Sequence, residues 1–400
     1  MFEYDEAYYL AHNPDVAEAV RRGDWPSGQT HFYADGKRKG RRAAPEVDAA
    51  WYLSAYPLAL SEIAAGLAGS AGEHYHRTGK YRGYLPSREG LRADNPAATR
   101  SRFGGLWTDA GNATDVVAGR LDLGEITGAQ AALLRTWISD GCVVLPGAVP
   151  EPVLAAAQAE LERAYRGELP DLKFAVHGLS QTTEWVPDVL TRPAQALDLH
   201  WTSAPTRDLI FCPAILDFLH LIFQRRVLAS QTLGFWRGSA QDGHQDSAYV
   251  NYSLPMQFAA SWIALEDVRE GAGELFYHTG SHAMPEFLYA GQFKGAGEAQ
   301  RVRGTHDLSK DYPRHSELIR RQAEGADLPT HRFLAKRGDV LIWSADLAHG
   351  DAPISLEHTR KSMVTHYCPA DAVPLYFEMQ PGRTLRQHES QSYYASSQYG

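Results

Sequence analysis

GDVLIWSADLAHGDAPISLEHTRKSMVTHYC, residues 338–368, decides the fold class. A Gly-Asp turn leads into DVLIWSA (339–345), and after a polar stretch KSMVTHYC (361–368) repeats the same β-branched and aromatic texture. Short apolar runs bounded by Gly, Asp or Pro read as strands. Upstream lie more of them: GCVVLPG (141–147), RVLASQTLGFW (226–236), QFAASWIALED (257–267) and GELFYH (273–278). Residues 128–140, 151–167 and 214–224 instead space their apolar side chains as helices do. Helices first and many short strands later predict a mainly β unit with flanking helices, a sandwich or jelly roll. The run 283–330 is polar, contains Gly295 and Gly297, and reads as a long insertion suited to a lid.

Further out, the first hundred residues repeat themselves. YYLAHNPDVAEAV aligns with WYLSAYPLALSEI, and HFYADGKRKGR with HYHRTGKYRGY, at one offset of 43 residues. Asp5 and Asp48, Tyr9 and Tyr52, Pro14 and Pro57, His31 and His74, Gly36 and Gly79, Gly40 and Gly83 all fall in step. A shared offset across so many pairs predicts one small helical unit used twice, about 1–43 and 44–86. Each unit reads as a short helix after Asp, a Pro-marked bend, a second helix and a glycine turn. His31 and His74 are expected to pack rather than bind metal. Residues 87–122, rich in Pro, Gly, Asn, Asp and Arg, read as a linker or crossing segment, 123–380 as the main domain and 381–400 as a polar tail.

Composition narrows the function. A chain of 400 residues holds two or three cores. Its net charge of -9 supplies no basic stripe for nucleic acid. No stretch is long and apolar enough to span a membrane, and MFEYDEAYYL does not resemble a signal peptide. Cys142, Cys212 and Cys368 are scattered and form no CxxC pair, which argues against disulfides and for a reducing, cytoplasmic setting.

The chemistry-bearing pattern is His-x-Asp followed by a distant His. Two imidazoles and one carboxylate on one face of Fe(II) leave three positions for a chelating keto acid and O2. His-x-Asp occurs twice, as His244-Gln245-Asp246 and His349-Gly350-Asp351, and His315 with Glu317 makes a His-x-Glu. Each alone is more often a turn or a hydrogen-bonded pair. Of the two His-x-Asp pairs, only the first has a later His followed eleven residues on by Arg: His349, then Arg360. A planar guanidinium suits the free carboxylate of 2-oxoglutarate. His244, Asp246 and His349 are therefore the expected metal ligands and catalytic centre, with Arg360 as the cosubstrate clamp.

DGCVVLPGAVPEPVL (140–154), GHQDSAYV (243–250), SWIALEDVREGAGELFYHTGSH (261–282) and KRGDVLIWSADLAHGDAPISLEHTRKS (336–362) resemble, in this order, the phytanoyl-CoA dioxygenase family. The resemblance covers about 124–380. It implies a double-stranded β-helix of the jelly-roll or cupin type using Fe(II), 2-oxoglutarate and O2. It implies the same three ligands and Arg360, and adds Trp262 and Gln231 as cosubstrate contacts. Gly280-Ser281-His282 matches a family turn, expected to fix a loop rather than meet substrate. Asp351 stands where many members have Ser. Tyr249, Tyr252 and Trp236 are candidates for the pocket wall, though such residues are more often core. The 43-residue units resemble small repeats appended to bacterial glycosyltransferases and other surface-polysaccharide enzymes; the second lacks the Asn-Pro-Asp-Val core.

The expected activity is hydroxylation of a C–H bond in a small molecule, leaning to a sugar or polysaccharide precursor, with the repeats open to a protein or glycan contact. A natural-product or amino-acid derivative is the alternative substrate. A non-catalytic scaffold and a cupin-like protein that does not use 2-oxoglutarate are the alternatives of other classes, both disfavoured by Arg360.

Overall fold

The computed structural model describes residues 4–44, 46–79, 86–87, 99–179, 181–303, 308–375 and 384–399. The chain divides into two compact units, Met1–Arg92 and Ala93–Gly400.

In the first unit several positions 43 residues apart make like contacts. Asp5 caps the helix Glu6–His12 and Asp48 caps Ala49–Ala55, each accepting from the backbone N–H three residues on. Pro14 and Pro57 open the next helices, Pro14–Arg21 and Pro57–Ala64, where a missing N–H costs nothing. Pro therefore starts a helix here and does not mark a bend alone. Tyr9 and Tyr52 are fully buried, and their hydroxyls hydrogen-bond His31 Nδ1 and His74 Nδ1, both at 2.9 Å. Gly36 lies so close to the Tyr9 hydroxyl that a Cβ there would collide with it. Gly83, the partner position of Gly40, lies outside the described residues.

Among its described residues the second unit contains twelve strands: β1 (Cys142–Leu145), β2 (Phe174–Val176), β3 (Ala194–Leu197), β4 (Val227–Phe235), β5 (Ala259–Ala264), β6 (Leu275–His278), β7 (Thr330–Phe333), β8 (Val340–Ser344), β9 (His349–Asp351), β10 (Ser362–Pro369), β11 (Arg386–Gln387) and β12 (Tyr393–Tyr394). The large sheet runs β1-β8-β5-β10-β4-β12-β11, with β3 and then β2 added beside β4. The small sheet runs β7-β6-β9. All pairings except β12 with β4 are antiparallel. This is the mainly antiparallel β core with flanking helices expected of the double-stranded β-helix. One face of the large sheet packs on the helices Gly128–Asp140, Glu151–Tyr165 and Pro213–Phe223 through Leu134, Leu161, Ile222, Ile263 and Ile342. The other face, with Trp262, Trp343 and Val364, packs on Leu275, Tyr277 and Phe333 of the small sheet. The two sheets thus enclose a space, and the site lies in it.

Three expected segments differ. Within 87–122, residues 88–98 lie outside the described residues, but the rest is no free linker: Ala113–Asp122 is helical and buries Val117, while Trp107 Nε1 donates to the Leu221 carbonyl at 3.1 Å. Much of 283–330 is helical, over Ala296–Arg303 and Leu308–Gly325, and buries Tyr289 and Phe293 against Ala248. In 381–400, β11 and β12 extend the large sheet, and Ala395 is fully buried. No described helix is long and apolar enough to cross a membrane.

Candidate metal centre

His244 follows β4 by a short loop, and His349 opens β9. The two form an antiparallel bridge, His244 N–H donating to the His349 carbonyl and His349 N–H to the His244 carbonyl. Each Nδ1–H is spent on a nearby backbone carbonyl: His244 on Asp242 at 2.8 Å, His349 on Leu347 at 2.9 Å. That orients both rings and turns both Nε2 atoms inward. They meet Asp246 Oδ1 at 3.5 and 3.6 Å. Asp246 opens a single 3₁₀ turn, and its other oxygen accepts from Trp343 Nε1 at 2.8 Å. All three side chains are 5% exposed, and one ligand atom from each lies within 4.8 Å of the others.

Electrostatics suit a cation. Burial opposes ionisation of Asp246, but His349 and the hydrogen bond from His244 outweigh it and hold the carboxyl well below its usual range. Burial pushes the His349 pKa down to about 4, against the pull of Asp246, so its imidazole is neutral at pH 7. Burial also disfavours charge on His244, yet hydrogen bonding and charge from Asp246 prevail and raise its pKa. A neutral nitrogen, a carboxylate and a nitrogen that gives up its proton to solvent when a metal binds make a donor set with the chemistry Fe(II) takes.

The same cavity, of about 390 Å³, is lined by Arg360, Trp262 and Gln231. Arg360 is 1% exposed and lies over the rings of Phe235 and Trp262, at 5.7 and 5.5 Å. Its Nη1 pairs with Asp351 Oδ1 at 2.8 Å, while its Nε and the Trp262 Nε1 are buried donors without a partner. Orphaned buried donors are rare, and an anion or carbonyl in the cavity satisfies them. Gln231 on β4 faces His366 on β10, with Oε1 to Nδ1 at 3.1 Å. The residues present therefore fit a metal and a keto acid beside it.

Other expected residues separate. Tyr249 lines the cavity. Tyr252 is buried against Ser230, its hydroxyl at 2.7 Å, and Trp236 is packed between Tyr165 and the Lys361 ammonium. His282 does not line the central cavity; it packs under Gly141, with Nε2 on the Ile138 carbonyl at 3.2 Å. His315 is buried beside Tyr289. Asp351, of the second His-x-Asp, turns to Ser239 and Arg360 instead of the three ligands.

Sequence reasoning missed three supports. Trp343 and Asp346 lie inside the stretch 336–362 but nothing in it singles them out, and His366 and Lys294 carry no motif. Only the register of β8 and β10 against β5 brings Trp343 and His366 under the site. Lys294, buried in the insertion, binds Asp346 at 2.7 Å and Glu286 at 3.3 Å. Asp346 in turn accepts from the Ser247 hydroxyl beside Asp246.

The family model described as Phytanoyl-CoA dioxygenase (PhyH) matches residues 137–362. No curated protein matches the chain. Among solved structures, the chain is similar to the epimerase SnoN in complex with Fe3+, alpha ketoglutarate and nogalamycin RO, at 18% identity over 67% of this chain and 98% of that one, TM-score 0.47. It is similar to EctD from S. alaskensis in its apoform, at 15% identity over 61% of this chain and 77% of that one, TM-score 0.41, and to EctD with 2-oxoglutarate and 5-hydroxyectoine, at 16% identity over 61% and 76%, TM-score 0.43. Identities this low leave the chemistry to the chain's own residues.

Proposed function

The chain belongs to the phytanoyl-CoA dioxygenase family, and we propose that it is an Fe(II)- and 2-oxoglutarate-dependent oxygenase hydroxylating a C–H bond of a small molecule. The observation that carries this reading is the placement of His244, Asp246, His349 and Arg360 on one buried cavity. The three ligands would hold Fe(II), which supplies the activation of O2 as the keto acid is oxidised. The chain's own residues do the placing. Asp242 and Leu347 aim the imidazoles, Trp343 aims the carboxylate, and Arg360 with Trp262 and Gln231 offers donors to the keto acid. The apolar wall of Leu233, Phe235, Leu275 and Val364 keeps water from the reacting carbon.

A second cavity of about 450 Å³ shares Ala175, Gln195, Ser239, Gln241 and Tyr249 with the first, and supports a route for substrate. Its polar lining is mostly uncharged, and Tyr249 and Tyr312 lie 4.8 Å apart at its edge. Among the described residues no Lys or Arg lines this second cavity. That favours a neutral hydroxyl-bearing molecule, a sugar or polysaccharide precursor, over an acyl-CoA with its phosphates. The repeats of the first unit lean the same way. The three thiols are buried and free, which suits a reducing, cytoplasmic compartment.

The test is Fe(II)-dependent release of succinate from 2-oxoglutarate, screened with neutral sugars and nucleotide sugars for stimulation. Full succinate production by His244→Ala or Asp246→Ala would sink the assignment. Fe(II) binding without turnover under every substrate would instead support a non-catalytic scaffold.

A further inference from the structure

Arg360 is not free to receive a carboxylate at full strength. Asp351 Oδ1 already holds its Nη1 at 2.8 Å, and both side chains are almost wholly buried. Asp351 is itself anchored: its Oδ2 accepts from Ser239 N at 2.6 Å and from the Ser239 hydroxyl, and its own N–H donates to the Gln241 carbonyl at 2.9 Å. It cannot swing away without leaving the Ser239 amide unpaired. The cavity's charge then decides what it prefers. Fe(II) with the Asp246 carboxylate carries one net positive charge, and Arg360 supplies a second, which together match a dianionic keto acid. Asp351 cancels one of them in a low-dielectric space where charges count heavily. The Arg360 Nε remains unpartnered, so the site still offers a donor to the far end of the keto acid, but a donor whose charge is shared.

We infer that Asp351 is a specificity-determining residue for the cosubstrate, weakening the preference for a dicarboxylate over a 2-oxo acid with an uncharged far end. The inference rests on the cosubstrate reading above. Its test compares 2-oxoglutarate with 2-oxovalerate, which has the same chain length and no far carboxylate. Binding of each to the anaerobic Fe(II)-loaded protein is measured by calorimetry, for the wild type, Asp351→Asn and Asp351→Ser. The second variant guards against failure of the first to fold. The wild type is expected to favour 2-oxoglutarate only modestly, and either variant to widen that ratio roughly tenfold or more, chiefly by binding 2-oxoglutarate tighter. A ratio unchanged within twofold in a folded variant overturns the role of Asp351 alone. Binding of neither keto acid by any of the three proteins, with Fe(II) still bound, overturns the cosubstrate reading and this inference with it.

Discussion

His244 and His349, far apart in the chain, are hydrogen-bonded neighbours: each amide donates to the other's carbonyl, at 2.8 and 3.0 Å, and their rings stand 4.4 Å apart. The backbone makes this bridge, so the side chains can be removed without breaking it. His349→Ala is expected to keep a cooperative thermal transition near that of the metal-free wild type while losing Fe(II) binding by calorimetry. A variant that still binds Fe(II) with wild-type affinity would remove His349 from the ligand set.

Trp343→Phe keeps most of the ring that packs under His349 and deletes the N–H held by Asp246 Oδ2. Removing such an orienting partner costs roughly tenfold or more in metal affinity. Stability should fall by about 1.5–3 kcal/mol, the worth of a hydrogen bond to a charged group. Fe(II) titration and urea unfolding read the two effects separately.

Lys294→Met leaves the Asp346 and Glu286 carboxylates without the ammonium between them. Lys294 is 6% exposed, so this breaks a buried ion pair, at a cost of about 3–5 kcal/mol. Asp346 also braces the ligand turn through Ser247, and its carbonyl accepts from Gln245 Nε2 at 2.7 Å. Metal affinity should therefore fall together with the urea midpoint. Addition of Asp346→Asn should recover part of both.

Asp109 makes stability depend on pH. Burial raises its pKa from the ordinary 3.8 to about 6, although the Leu106 N–H donates to it. The folded state thus holds a proton that the unfolded state has released, between the two values. The ionised carboxylate penalises the fold above pH 6, and the penalty fades as pH falls toward 4. Asp109→Asn is expected to stabilise the protein by up to about 3 kcal/mol at pH 7. The gain should shrink to nothing near pH 4 in denaturant titrations run across that range. A gain independent of pH would contradict it.

What could be read without coordinates was what repeats or alternates. The 43-residue offset was legible because Tyr9 with His31 and Tyr52 with His74 need the same reach twice. The long strands were legible as apolar runs, since β5, β8 and β10 are buried throughout. β12 was not, because two residues in a polar stretch carry no period, and pairing with Leu228 and Ala229 on one side and with β11 on the other makes them a strand. The helix Leu308–Gly325 hid behind its many charges. At the site, the spacing of His349 and Arg360 singled out one constellation, but it gave no sign that Asp351 lies against Arg360. That contact needs the turn after β9 to bring the chain back to β10, and turns of that kind have no short signature.

One consequence of the two-sheet layout concerns lifetime. His349 belongs to the small sheet, while Trp262 and Gln231 belong to the large one and Arg360 stands at its edge. Metal and keto acid bound together would rivet one sheet to the other, and mass action would then tie resistance to unfolding to the free concentration of both. Amide exchange in β6, β7 and β9 should slow on loading. In a cell, scarcity of iron would shorten the survival of this chain before it limited any single turnover.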